Sequence, residues 1–179
     1  MDKNQNKITY EICLLGDSQV GKTSIFKKIA TGNFSTNNVA TIGIEKKTLF
    51  FNDIDVDFKG NKEKKSFEIS LFDTAGQERF RSIAPNFIKN SEGVILIYDI
   101  TKKESFEHVE FWLSSIKENL SDWTKSGYLI MIIGNKLDLV LENEKLREVS
   151  IEDVENKYGD SGIILGGECS EKILQIINF

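Results

Sequence analysis

Short apolar runs alternate along the chain with longer stretches in which apolar residues recur at helical spacing. Ile8 to Leu15, Ile44 to Phe51, Phe67 to Phe72, Val94 to Tyr98, Leu129 to Ile133 and Ile163 to Leu165 are rich in Ile, Val, Leu and Phe and bounded by Gly, Asn or Asp, which predicts six strands. Between several of them, Lys22 to Ala30, Glu104 to Asn119 and Ile151 to Tyr158 read as helices. In the second, Phe106, Val109, Leu113, Ile116 and Leu120 form one stripe. Strand and helix in alternation predict an α/β fold: a mostly parallel, doubly wound sheet with helices on both faces. The second and third strands are joined by a polar turn at Gly60 to Lys65 with no helix between them, so that pair is expected to be an antiparallel hairpin. Asp53-Ile54-Asp55-Val56-Asp57 opens like a calcium loop, but Phe58 and Lys64 stand where an EF-hand needs Gly and Glu. Its strict alternation predicts instead a hairpin strand with Ile54, Val56 and Phe58 inward.

The 179 residues, 28% charged and 40% apolar, suffice for a core without disulfide or metal staples. With no repeat and no Pro/Gly/Ser-rich linker, residues 1–179 are expected to form one domain. A lone histidine, His108, excludes zinc and iron sites that need paired histidines, and the distant Cys13 and Cys169 suggest neither a zinc ribbon nor a disulfide framework. His108, beside Glu107 and Glu110, is expected at the surface, Trp112 in the core and Phe111 at its flank. Two thiols of this kind fit a reducing, cytoplasmic setting. At a net charge of −5, the molecule as a whole repels polyphosphate chains, so no nucleic-acid partner is expected and any phosphate must be held locally. Met1 to Lys7 lacks the apolar core of a signal peptide, Asp2 stands where myristoylation needs Gly, and no apolar run approaches a bilayer span.

In open α/β sheets ligands sit beyond the carboxyl ends of the strands, and three motifs fall there. Gly16-Asp17-Ser18-Gln19-Val20-Gly21-Lys22-Thr23, with Ser24 after it, follows the first strand and opens the first helix, matching G-x-x-x-x-G-K-[ST] in the setting that pattern requires. Its glycines let successive N–H groups turn inward, the helix N-terminus and Lys22 add positive charge, and the Thr23 hydroxyl suits Mg2+: the natural guest is a polyphosphate with its metal. Asp73-Thr74-Ala75-Gly76-Gln77-Glu78 follows the third strand. There Asp73 can hold Mg2+ through water, the Gly76 N–H can reach a terminal phosphate, and Gln77 can orient water for in-line attack. Thr41, in the polar segment Gly32 to Ile42, offers a second hydroxyl to Mg2+ and a backbone N–H to the γ-phosphate. Asn135-Lys136-Leu137-Asp138 follows the fifth strand. The Asp138 carboxylate can accept from guanine N1–H and the 2-amino group, at roughly 1.5–3 kcal/mol per charge-assisted bond, where adenine offers neither donor. Asn135 can tie this loop to the phosphate loop, and the Lys136 stem can cover one face of the base. Each motif alone also fits an ordinary solvated turn; their order along the chain is what separates the readings.

With these residues in place the chain resembles a Ras-superfamily small GTPase, most nearly of the Rab type. The resemblance runs from about Tyr10 to Lys172 and is carried by GDSQVGKTS, ATIGIE, DTAGQERFRSIAP, GVILIYDIT and GNKLD. It implies a P-loop NTPase fold of the Ras-like kind and a switch that binds GTP with Mg2+ and hydrolyses it to GDP, probed by exchange factors, GTPase-activating proteins and effectors. Catalytic roles pass by resemblance to Gln77, Lys22 and Thr41, and metal ligation to Thr23, Thr41 and Asp73. Phe34 would pack edge-on against guanine. Cys169-Ser170-Glu171-Lys172 matches the last guanine loop, so that Ser170 lies at the base, the Glu171 N–H meets O6 and Lys172 braces the ring. Segments Gly32 to Glu45 and Gly76 to Asn90 would be ordered by the γ-phosphate and released on hydrolysis, with the chain acting as a monomer. Lys46, Phe72 and Asn86-Phe87-Ile88 depart from the family at its effector-facing triad. Rab proteins regulate vesicle traffic on the cytosolic face of endomembranes through a prenylated tail, which this chain does not carry; Glu171 to Phe179 reads as a final helix cut short. Two other classes stay open: a GTP-bound interaction module with little hydrolysis, and an ATP-dependent phosphotransferase, disfavoured by Asp138.

Overall fold

The computed structural model describes residues 7–31, 44–58, 61–74, 84–120 and 127–170. The sheet is built from β1 (Lys7–Leu15), β2 (Ile44–Phe58), β3 (Asn61–Thr74), β4 (Gly93–Asp99), β5 (Leu129–Asn135) and β6 (Ile164–Glu168), in the order β2-β3-β1-β4-β5-β6. Only β2 runs antiparallel, against β3; every other pair is parallel. Helices are α1 (Lys22–Thr31), α2 (Ala84–Asn90), α3 (Lys103–Glu107), α4 (Val109–Asn119), α5 (Leu137–Glu142) and α6 (Ile151–Tyr158), with a 3-10 turn at Glu144–Leu146. α2 and α5 span about two turns or less, too few for a periodic pattern to declare itself in sequence.

The pleat of β4 divides the core in two. Val94, Leu96 and Tyr98 face a cluster that takes in Phe106, Val109, Trp112, Leu113 and Ile116 of α3 and α4 together with Val154 and Tyr158 of α6. The intervening Ile97, with Ile95 beside it, faces the opposite cluster around Leu14, Ile25, Phe26 and Leu71, to which α1 contributes. Every apolar residue of β4 thus meets a packed layer, as a central parallel strand requires.

Three sequence expectations are corrected. The helix expected over Glu104 to Asn119 divides at His108, where Phe111 N–H bonds the His108 carbonyl at 3.0 Å in a tighter turn. Trp112 is buried and Phe111 exposed, as anticipated. The polar turn expected at Gly60 to Lys65 is instead mostly strand: β3 begins at Asn61, and the ladder sets Lys62 opposite Asp57 and Lys64 opposite Asp55. Opposite charges across a ladder stabilise it, so a charge pattern suited to a solvated turn serves a longer hairpin. Ile54, expected inward, is 41% exposed, and Val56 is only half-buried. Here the hairpin extends past β1, whose pairing with β3 starts at Lys7 opposite Ser66, and a bulge between Phe51 and Ile54, with Asp53 at φ 55°, turns the distal half.

Candidate functional site

The phosphate loop connects β1 to α1 and is pressed against β4. Gly16 has φ 141°, and a Cβ there would lie 2.2 Å from the Ile97 carbonyl oxygen, so no other residue fits without moving the strand. Gln19 (φ 65°) and Gly21 (φ 99°) also take left-handed conformations that curl the loop. Val20 is buried in the α1-side cluster, whereas Ser18 and Gln19 stand exposed at the tip. The Lys22 ammonium is folded into the loop, donating to the carbonyls of Gly16 (2.9 Å) and Asp17 (2.6 Å). Burial lowers its pKa to about 8, against the opposing pull of Asp73 and Asp17. Ser24, also buried, follows in the first turn of α1.

Thr23 Oγ donates to Asp73 Oδ2 at 2.7 Å, so two of the three sequence-proposed metal ligands meet at the mouth of this loop. Asp73 is fully buried, and the next hydroxyl, Thr74 Oγ, bonds the Leu14 carbonyl at 2.8 Å, fixing the end of β3 to β1. Among the described residues no group of three or more His, Cys, Asp or Glu is placed to hold a metal ion. A divalent cation here would draw on a hydroxyl, one carboxylate and ligand oxygens, a donor set that suits Mg2+.

The loops after β5 and β6 lie farther along the same carboxyl edge. Asn135 is the last residue of β5 and completely buried; its Nδ2 donates to the Val20 carbonyl at 2.8 Å. Lys136 turns the chain into α5 in a left-handed conformation, φ 73°, and its ammonium lies 2.6 Å from Asp99 Oδ2. The returning strand is stitched to this loop by Cys169 N–H to the Gly134 carbonyl (2.8 Å) and Leu137 N–H to the Cys169 carbonyl (3.1 Å). Ser170 Oγ then donates to Asp138 Oδ1 at 2.6 Å, both residues being buried. Asp17, Ser18, Gln19, Val20, Gly21, Lys22, Thr23, Ser24, Asp73, Asn135, Lys136, Asp138 and Ser170 thus line one edge of the sheet. Phe34, Thr41, Gly76, Gln77, Glu171 and Lys172 lie outside the described residues.

Three contacts at this edge escaped the sequence reading. His108, expected as a plain surface residue, meets the Asp17 carboxylate through Nδ1, joining the α3–α4 junction to the phosphate loop. Arg147 holds the buried Glu168 with two hydrogen bonds, at 2.5 and 2.9 Å, directly before Cys169. Asp99 pairs with Lys136, and it had a signal: it closes β4 at the same sheet edge where Asp73 stands next to last in β3. Nothing in local sequence marks the other two. Lys46, Phe72 and Phe87, three positions where the sequence departs from the resemblance, are neighbours: the Lys46 ammonium sits 4.9 Å from the Phe72 ring centroid and 3.1 Å from Glu11, and Phe72 lies 6.4 Å from Phe87.

The Ras family model matches residues 11–175. The chain is similar to the Ras-related protein Rab-13 of Bos taurus, 38% identical over 154 residues that cover 86% of this chain and 68% of the relative. It is 37% identical to RabC of Dictyostelium discoideum over 141 residues, 78% of this chain and 66% of the relative. Against Rab-44 of Homo sapiens it is 37% identical over 163 residues, 90% of this chain but only 14% of that much longer protein. The chain belongs to the Ras family and is a small GTPase of the Rab type.

Proposed function

We propose that this chain is a switch that binds GTP or GDP across the edge running from the phosphate loop to Asp138 and Ser170, hydrolyses GTP, and signals its state to trafficking partners. The observation that supports this is the hydrogen bond from Asn135 Nδ2 to the Val20 carbonyl, which ties the loop after β5 to the phosphate loop. In this reading Lys22 exchanges the loop carbonyls for phosphate oxygens, and Asp17 to Ser24 supply N–H groups. Asp138 takes guanine N1–H and the 2-amino group while Ser170 holds its other side; Lys136 covers one face, Phe34 the edge, and Glu171 and Lys172 complete the pocket. Thr23 and Thr41, with Asp73 through water, would hold Mg2+, which when bound would neutralise charge on the phosphates. Gln77 orients the attacking water, and Gly76 and Thr41 sense the γ-phosphate through their N–H groups. Exchange factors, GTPase-activating proteins and effectors would read segments 32–45 and 76–90, the latter including Phe87, together with Lys46 and Phe72. Among the described residues no helix is long and apolar enough to cross a membrane; endomembrane association would depend on a prenylated tail.

Single-turnover hydrolysis of radiolabelled GTP tests the proposal. Wild type converts GTP to GDP, and Gln77→Leu binds GTP while hydrolysing it at least about tenfold more slowly. Equal rates in the two would remove Gln77 from its role. Binding without turnover in wild type would favour the GTP-bound interaction module.

A further inference from the structure

Asp99 closes β4 opposite Asn135 in the ladder, at 1% exposure. Its Oδ1 accepts from Thr101 N–H at 2.9 Å and Thr101 Oγ at 2.6 Å. Its own N–H donates to Ser105 Oγ at 3.0 Å, which bonds the Lys102 carbonyl at 2.7 Å in turn. Those contacts orient the carboxylate completely and already close the turn that leads into α3. Oδ2 is surplus to that turn, and it is the atom 2.6 Å from the Lys136 ammonium. A carboxylate this deep is tolerated only when paired, and Lys136 supplies the charge.

The pair constrains Lys136 more than it constrains Asp99. At its Cα end the lysine is held by the left-handed turn between β5 and α5. At its Nζ end it meets an acceptor whose other oxygen is held by Thr101. Between two fixed ends the four-carbon stem gives up its rotamer freedom before any ligand arrives, and groups ordered in advance bind with less entropic loss.

We infer that Asp99 is a positioning residue for nucleotide binding: it anchors the Lys136 ammonium so that the lysine stem stands pre-set along the base side of the cleft. The inference rests on the reading that this stem covers one face of guanine. Asp99 touches no nucleotide; it acts through Lys136.

The test is dissociation of a fluorescent GDP analogue from the full chain with excess GDP as competitor, comparing wild type, Asp99→Asn, Lys136→Met, Lys136→Ala and the Asp99→Asn/Lys136→Met double variant. Asn at 99 keeps an acceptor for Thr101 and the shape of the turn but loses the charge that anchors Lys136. Asp99→Asn is expected to release GDP about tenfold faster. Lys136→Met keeps most of the apolar stem without the ammonium and is expected to match Lys136→Ala, at about the same acceleration. The double variant is expected to be no faster than Lys136→Met, since both changes break one interaction. Wild-type or slower release from Asp99→Asn, or an effect that multiplies fully with that of Lys136→Met, overturns the inference while leaving the base reading intact. Should Asp99→Asn fail to fold, as seen by circular dichroism, Lys136 decides: Met behaving as wild type while Ala releases GDP quickly shows that the stem needs no anchor. Unchanged release from both Lys136 variants overturns the base reading and the inference with it.

Discussion

The Asp138 carboxylate is buried with one oxygen already accepting from Ser170 Oγ at 2.6 Å. That bond restrains the carboxylate, so on the proposed reading part of its orientation toward a base is set before binding. Asp138→Asn replaces an acceptor by a donor there, and guanine should lose its place to xanthine. GDP affinity is expected to fall on the order of a hundredfold or more, with XDP binding gained, as measured by displacement of fluorescent analogues. Arg147 acts on the same loop from behind. Glu168 is 4% exposed and takes both of its strong hydrogen bonds from this one guanidinium. Removing the arginine leaves a buried carboxylate without its cation, so Arg147→Ala is expected to cost about 3 kcal/mol in urea unfolding. Replacing both partners by apolar residues of similar volume is expected to cost much less, because the penalty is for the stranded charge.

Among the elements, α6 begins with a reciprocal cap. Asp153 N–H donates to Ser150 Oγ at 3.0 Å, and Ser150 N–H donates to Asp153 Oδ2 at 2.8 Å. The Ser150 hydroxyl, which also donates to Asp153 Oδ2 at 2.7 Å, and then the Ser150 N–H hold the Asp153 carboxyl below its usual range. Only Val154 and Tyr158 of this short helix are buried, so the cap carries much of its definition. Ser150→Ala is expected to lose about 1 kcal/mol in the same urea measurement, with a larger share of the loss in hydrogen-exchange protection of α6 than elsewhere. The β2–β3 hairpin makes the opposite case. Its distal half packs on β3 alone, with Asp55 opposite Lys64 and Asp57 opposite Lys62 across the ladder and Ile54 exposed. Helices α3 and α4 meet at His108, whose ring reaches Asp17 in the phosphate loop, so a break in one element is also a contact between two.

At the scale of the whole molecule, burial couples the core to alkaline pH. The Cys13 thiol is pushed from 9.0 up to about 11, chiefly by burial. Burial likewise takes the Tyr128 hydroxyl from 10.0 to about 12, and Tyr98, deeper still, is also raised. In the unfolded chain these groups ionise at their ordinary values while the native state keeps them neutral. Stability on their account is fully present below pH ~9 and is lost as pH rises through the folded values, between about 9 and 12. Their share of the urea midpoint is expected to be level from about pH 7 to 8.5 and to fall steadily above that, while Lys22, whose pKa burial lowers to about 8, contributes in the opposite sense between about pH 8 and 10.5. Cys13→Ala should remove the earliest part of the fall. Cys13 should also resist thiol reagents in the native state near neutral pH, since the reactive thiolate is suppressed.

The alternation of short apolar runs with amphipathic stretches determined, without any coordinates, the six strands, the antiparallel hairpin and the placement of the motifs after β1, β3 and β5. These are short-range properties: periodicity, Gly-punctuated turns and residue type act within a few positions along the chain. Tertiary structure decided where the hairpin ends, where the helix after β4 breaks, and which side chains meet. Asn135 and Val20, Asp17 and His108, Asp99 and Lys136, and Arg147 and Glu168 are joined only once the parallel crossovers bring distant strand ends to one edge. No spacing encodes such pairs, because their energy comes from burial and neutralisation after the chain has folded.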